Sequence, residues 1–106
     1  MALSRAEVEA TVRRFADRLQ QSVPVDEVWV YGSYARGAAT DDSDIDVAVV
    51  SPELGRNRWE DTKTLARAIL PDAILVEALA FSTAHRQSPP RGSLPREILR
   101  TGWRIV

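Results

Sequence analysis

Along residues 4–21 the apolar side chains Val8, Val12, Phe15 and Leu19 recur at three- and four-residue spacing, which predicts an amphipathic helix with one buried face. Its start is equally legible. Ser4 is placed as N-cap, Glu7 three residues on completes a capping box, and Leu3 and Val8 can close a hydrophobic staple. Pro24 breaks the helical pattern, and EVWVY at 27–31, rich in β-branched and aromatic residues, predicts a first strand that stops at Gly32 and Ser33. Residues 34–37 fit one helical turn closed by Gly37, after which a polar loop at 38–43 leads into a second strand at 44–50. Residues 51–58 have loop composition. Residues 59–70 fit a second long helix that presents Ala66, Ile69 and Leu70 to the sheet and is stopped by Pro71. AILVEALA at 73–80 suits helix or strand by periodicity alone, but its place after a helix and its β-branched centre favour a third strand. QSPPRGS at 87–93 is the one stretch with clearly flexible composition. Residues 94–101 predict a final short helix ending at Gly102, and 103–106 a terminal extended segment. This order of elements predicts a compact α/β domain whose small mixed sheet is flanked by helices.

Composition narrows the picture. A chain of 106 residues with 44% hydrophobic and 27% charged residues is expected to form a single folded domain, 1–106, with one modest core. The formal net charge of −1 gives no bulk attraction to nucleic acid or to a membrane surface, and the arginines form no sequence cluster. Nucleic acid is therefore not an expected partner. With no cysteine, disulfides and thiol catalysis are excluded. MALSRAEVEA carries charge from Arg5 onward and contains no apolar run of the kind found in signal peptides or membrane spans, so a cytoplasmic location is expected.

The candidate chemistry lies in YGSYARGAATDDSDIDVAVV, residues 31–50. Asp44 and Asp46 stand two residues apart at the start of a strand, so both side chains leave the same face. Held that close, two carboxylates repel, and cations are the natural relief; oxygen ligands of this kind suit Mg²⁺ or Mn²⁺, two ions in phosphoryl-transfer sites. A calcium loop does not fit, because Val47 stands where such a loop needs glycine and VAVV continues as a strand. Asp41 and Asp42 read as solvated loop residues. A third carboxylate would complete the set. Asp72, immediately before the third strand, is the expected one; Glu77, at odd separation from Asp72, points to the opposite face and is the competitor. Gly32 permits close backbone approach to a phosphate, and Ser33 adds a hydroxyl at a helix start, with Arg36 as a source of positive charge. The single histidine, His85, reads as solvated, and Trp29, Trp59 and Trp103 as core or interface aromatics.

Gly32, Ser33, Ala35, Arg36 and Gly37, then a five-residue spacer, then Ser43, Asp44 and Asp46, match the pattern GSxARG…SDxD. In this the chain resembles the DNA-polymerase-beta-like nucleotidyltransferase superfamily, and within it the minimal nucleotidyltransferases of antitoxin type paired with a HEPN toxin. The resemblance extends to residues 71–81 as the strand of the third acid and to LPREILRTGWRIV as the C-terminal helix and last strand. It implies a nucleotidyltransferase fold. It also implies transfer of a nucleoside monophosphate from an NTP, usually ATP, to an acceptor hydroxyl, here a tyrosine of a HEPN toxin. In that scheme Gly32, Ser33 and Arg36 attend the phosphates, Asp44 and Asp46 bind two Mg²⁺ ions, and Asp72 binds the catalytic metal and takes the hydroxyl proton. Two other functions fit the same residues: nucleotidylation of a small molecule of the aminoglycoside or lincosamide type, and a non-catalytic antitoxin that acts by binding.

Overall fold

The structure, a computed structural model, describes residues 2–72 and 75–106. Helix α1 (Arg5–Gln20) has the expected start: the Ser4 hydroxyl accepts from the Glu7 N–H and the Glu7 carboxylate accepts from the Ser4 N–H. Its buried side chains include Val8, Val12, Phe15 and Leu19. Each fully buried side chain of this size contributes about 1.5–3 kcal/mol. Strand β1 (Glu27–Tyr31) runs into a one-turn helix α2 (Ser33–Arg36), and strand β2 (Ile45–Ser51) follows the polar loop. Helix α3 (Arg58–Ile69) is capped by the Asn57 side chain and ends in a 3₁₀ turn, Leu70–Asp72. Strand β3 (Val76–Ser82) passes into a short helix α4 (Thr83–Gln87), then come α5 (Leu94–Thr101) and β4 (Trp103–Arg104). The expected beginning of the third strand at Ala73 and Ile74 lies outside the described residues.

Among the described residues the strands form one sheet in the order β3-β2-β1-β4, with β2 and β3 parallel and the other pairs antiparallel. This is a mixed sheet flanked by helices. One face, carrying Val28, Val30, Val47 and Val49, packs against α1 and α3 in the main core. On the other face Ala48, Val50 and Phe81 pack against Ile98 of α5 in a smaller cluster. Alternation along a strand puts Asp46 on this second face, beyond the apolar part that α5 covers.

Helix α3 turns differently from its sequence expectation. Leu65 and Ala68 are its buried residues, with Ile69 packed beside them, whereas Ala66 is exposed and Leu70 is 69% exposed. The inward stripe is displaced by one residue, and the change to 3₁₀ geometry at Leu70 ends the regular helical phase. Helix α4 has no counterpart in the sequence reading; Ser82 caps it by accepting from the His85 N–H. None of the described helices is long and apolar enough to cross a membrane.

Candidate active site

Strand register assembles the site. Tyr31 pairs with Asp46 across β1 and β2, and Asp46 pairs with Glu77 across β2 and β3. Directly paired residues share a face, and adjacent strands lie about 4.8 Å apart, so Tyr31, Asp46 and Glu77 form a row across three strands. Asp44, exposed just ahead of β2, is in phase with Asp46. It is set there by a small turn in which the Ser43 hydroxyl accepts from the Thr40 N–H at 2.8 Å and the Ser43 N–H donates to the Thr40 carbonyl at 3.1 Å. Asp41 and Asp42 in that loop are exposed.

The Gly-Ser turn closes over the same spot. Gly32 has φ 71° and ψ −146°, a conformation that side chains other than hydrogen rarely tolerate. Its backbone also packs against Asp46: a Cβ on Gly32 would overlap Oδ2 of Asp46 and lie 3.2 Å from its Cγ. The glycine is thus required twice, by torsion and by contact. The Arg36 N–H then donates to the Gly32 carbonyl at 3.1 Å, and the turn ends at Gly37 in the left-handed region. Ser33 is half-buried at the start of this turn, and Arg36 is exposed.

Burial pushes the half-buried Asp46 carboxyl above its ordinary value, and the neighbouring Glu77 and Asp44 push it further, against a smaller opposing effect of Arg36. Burial and the charges of Asp46 and Glu77 likewise push the Tyr31 phenol up to about 12. The Tyr31 phenol thus feels the charge of both acids of the row. A crowded group of carboxylates beside a glycine turn is a donor set that a hard divalent cation would relieve, so these residues fit Mg²⁺ or Mn²⁺. Among the described residues no three such side chains form a ready-made metal cage; the acids stand side by side instead.

Asp72 is not brought to this group. Its carboxylate is 13% exposed and is held on the α1 side by Arg18 at 2.7 Å and Arg14 at 3.5 Å. Arg18 also donates to the Ala68 carbonyl at 2.6 Å, so Asp72 fastens the end of α3 to α1. The structure thus holds Asp72, the expected third acid, with Arg14 and Arg18 rather than beside Asp46. Asp72 and Glu77 do lie on opposite sides of the sheet, but Asp46 shares its face with Glu77. The apolar alternation of Val76, Ala78 and Ala80 against Leu79 and Phe81 carried that information. Tyr31 joins the acids through its pairing with Asp46, at the strand end immediately before Gly32. Away from the acids, the Trp29 indole donates to Glu27, Trp103 stacks under the Arg5 guanidinium, Trp59 is exposed, and His85 is exposed.

A family model described as "Nucleotidyltransferase domain" matches residues 12–88. The chain is 35% identical over 68 residues to the protein adenylyltransferase MntA of Shewanella oneidensis, which spans 61% of this chain and 49% of that protein. This chain thus aligns with about half the length of the curated relative. Its fold is similar to that of a Sulfolobus solfataricus chain assigned as a nucleotidyltransferase (TM-score 0.59, 23% identity, 82% of this chain and 83% of that one). It is also similar to a chain in a crystal structure of a toxin-antitoxin with AMP-PNP (TM-score 0.60, 24% identity, 92% of this chain and 72% of that one).

Proposed function

The chain belongs to the nucleotidyltransferase-domain family, and from that premise we propose that it moves AMP from ATP to a hydroxyl of a partner protein, a tyrosine of a HEPN toxin, and so acts as an antitoxin. The observation that carries this reading is the row of Tyr31, Asp46 and Glu77 with the Gly32 backbone packed onto Asp46. Likeness to a protein adenylyltransferase supports AMP and a protein acceptor, and the toxin-antitoxin fold neighbour supports the biological role.

In this reading Asp44, Asp46 and Glu77 hold two Mg²⁺ ions. Such ions, when bound, neutralise triphosphate charge and make the α-phosphorus a better electrophile. The chain's own residues do the rest. Gly32 lets the triphosphate reach the backbone, the Ser33 hydroxyl donates to a phosphate oxygen, and Arg36 offsets part of the charge. The acceptor oxygen forms its bond to the α-phosphorus as the bond to pyrophosphate breaks, and its proton passes to the carboxylate of Glu77, the exposed acid of the row. Tyr31, still protonated, donates toward Asp46 or a phosphate oxygen and holds the acids in place.

The test combines purified chain, Mg²⁺, ATP and the product of the neighbouring gene, followed by intact mass spectrometry. A mass increase of one AMP on the partner is expected, and it is lost with Asp44→Ala plus Asp46→Ala. Retained neutralisation of the partner by that double variant, without transfer, would replace catalysis with occlusion. Transfer to an aminoglycoside or lincosamide with no protein partner would replace the acceptor.

A further inference from the structure

Among the described residues β3 is paired on one side alone, with β2. The Ile45 N–H donates to the Leu75 carbonyl at 2.6 Å. Because backbone groups alternate along a strand, residues 77, 79 and 81 turn theirs toward β2, and Val76, Ala78 and Ala80 turn theirs toward the open edge. Natural edge strands are commonly blunted by lysine, proline or a bulge. VEALAFS has none of these, and its seven-residue register against β2 is unbroken. Among the described residues the far end is covered by Gly55, which packs so closely on the backbone that a Cβ there would lie 2.9 Å from the Phe81 carbonyl carbon.

A cleft of about 530 Å³ runs along this edge, with Ala78 and Ala80 in its wall and Arg56, Arg58 and His85 at its rim. All three rim residues are exposed. Asp61, the one acid lining the cleft, already accepts from the Gly55 N–H at 2.9 Å. The rim therefore presents mainly cationic and donor groups to whatever lies on the strand. Glu77 sits one residue from Ala78 at the end of the edge where the acids are.

We propose that the open edge of β3 receives an extended acidic segment of the partner protein as an added strand, and that this pairing delivers the acceptor hydroxyl to Glu77 and Asp46. The inference rests on the proposed transfer to a protein hydroxyl. Main-chain bonds to Ala78 and Ala80 supply affinity, and Arg56 and Arg58 select acidic side chains. A strand added here lies one strand spacing, about 4.8 Å, from β3. A hydroxyl side chain on its acid-facing side then stands beside Glu77 as Glu77 stands beside Asp46.

The test uses the full chain and a fluorescein-labelled nonapeptide of alternating valine and glutamate, read by anisotropy without nucleotide. Saturable binding is expected, with slowed hydrogen exchange at Ala78 and Ala80. A lysine counterpart and a backbone N-methylated version should bind at least about tenfold more weakly, the scale of one or two lost hydrogen bonds. Ala80→Pro removes an outward N–H that β2 does not use, and should weaken the peptide by a similar factor. Arg58→Glu, an exposed change that leaves the strand intact, should reverse the preference toward the lysine peptide. Equal binding of all three peptides, or an unchanged preference in Arg58→Glu, would overturn the docking. Transfer to the partner is measured separately. Undiminished transfer in both edge variants overturns the docking while the function stands; absent transfer in the wild type with intact, charge-selective peptide binding overturns the function while the docking surface stands.

Discussion

Replacing Gly32 with alanine perturbs the closest contact of the site, and its cost divides into two parts that a double-mutant cycle separates. The first is torsional: at φ 71° and ψ −146° a Cβ is strained, which costs about 1–3 kcal/mol. The second is steric, because the new methyl would overlap Oδ2 of Asp46 and crowd its Cγ at 3.2 Å. In an Asp46→Ala background the nearest remaining atom of residue 46 is its Cβ, at 3.4 Å, an ordinary contact. The torsional part then persists and the steric part vanishes. The cycle should therefore give a coupling of about 1–2 kcal/mol, inside the usual range for residues in contact. Asp46→Ala alone should cost little stability or raise it, since it removes a half-buried carboxyl crowded by Glu77 and Asp44. The assay is urea and thermal unfolding of the four proteins. At roughly 4–8 °C per kcal/mol for a domain near this size, the coupling appears as about 5–15 °C. A Gly32→Ala cost that is equal in both backgrounds, within about 0.5 kcal/mol, would refute the packing of the turn on Asp46.

Two further outcomes concern the scaffold. Arg18→Ala removes the bond to Asp72 and the one to the Ala68 carbonyl, and should cost about 2–3 kcal/mol in urea unfolding while transfer persists at a temperature where the variant is folded. Loss of transfer by the folded variant would put Asp72 back in the site. Glu27 is affected first by burial, which raises its carboxyl pKa, but the bonds from Arg86 and Trp29 and the charges of Arg104 and Arg86 outweigh burial and hold it below the ordinary 4.5. A carboxyl lowered on folding stabilises the protein above its unfolded pKa, and that contribution is lost as pH falls through the folded value. Glu27→Gln should thus destabilise at pH 7, with the gap to wild type closing below about pH 4.5. A gap as wide at pH 3 as at pH 7 would contradict the network.

Local signals were read well from sequence because their physics is local. The capping box of Ser4 and Glu7, the strand at 27–31 and the helix at 94–101 depend on neighbours within one turn or one strand, and the structure has them as expected. The Gly32 turn and the phase of Asp44 and Asp46 are of the same kind. Helix α4 spans only Thr83–Gln87, too short to show a hydrophobic period. Ala66 and Leu70 are apolar and suitably spaced for the inward face of α3, yet the helix rotates to bury Leu65 and Ala68. The third acid was hardest to place. Asp72 lies in the 3₁₀ turn ahead of β3, outside the alternation of the strand, and Glu77 joins Asp46 through the parallel register of β3 on β2, a pairing across about thirty residues of chain.

In the proposed reaction Asp46 and Glu77, on one face of the sheet, carry the transfer chemistry, while Asp72 serves the fold. The most direct measurement is the AMP transferred to the partner protein by Glu77→Gln and Asp72→Asn, side by side with wild type under Mg²⁺ and ATP, with circular dichroism confirming that each variant is folded. The expected result is transfer abolished in Glu77→Gln and retained in Asp72→Asn. Transfer abolished in Asp72→Asn and retained in Glu77→Gln would contradict it.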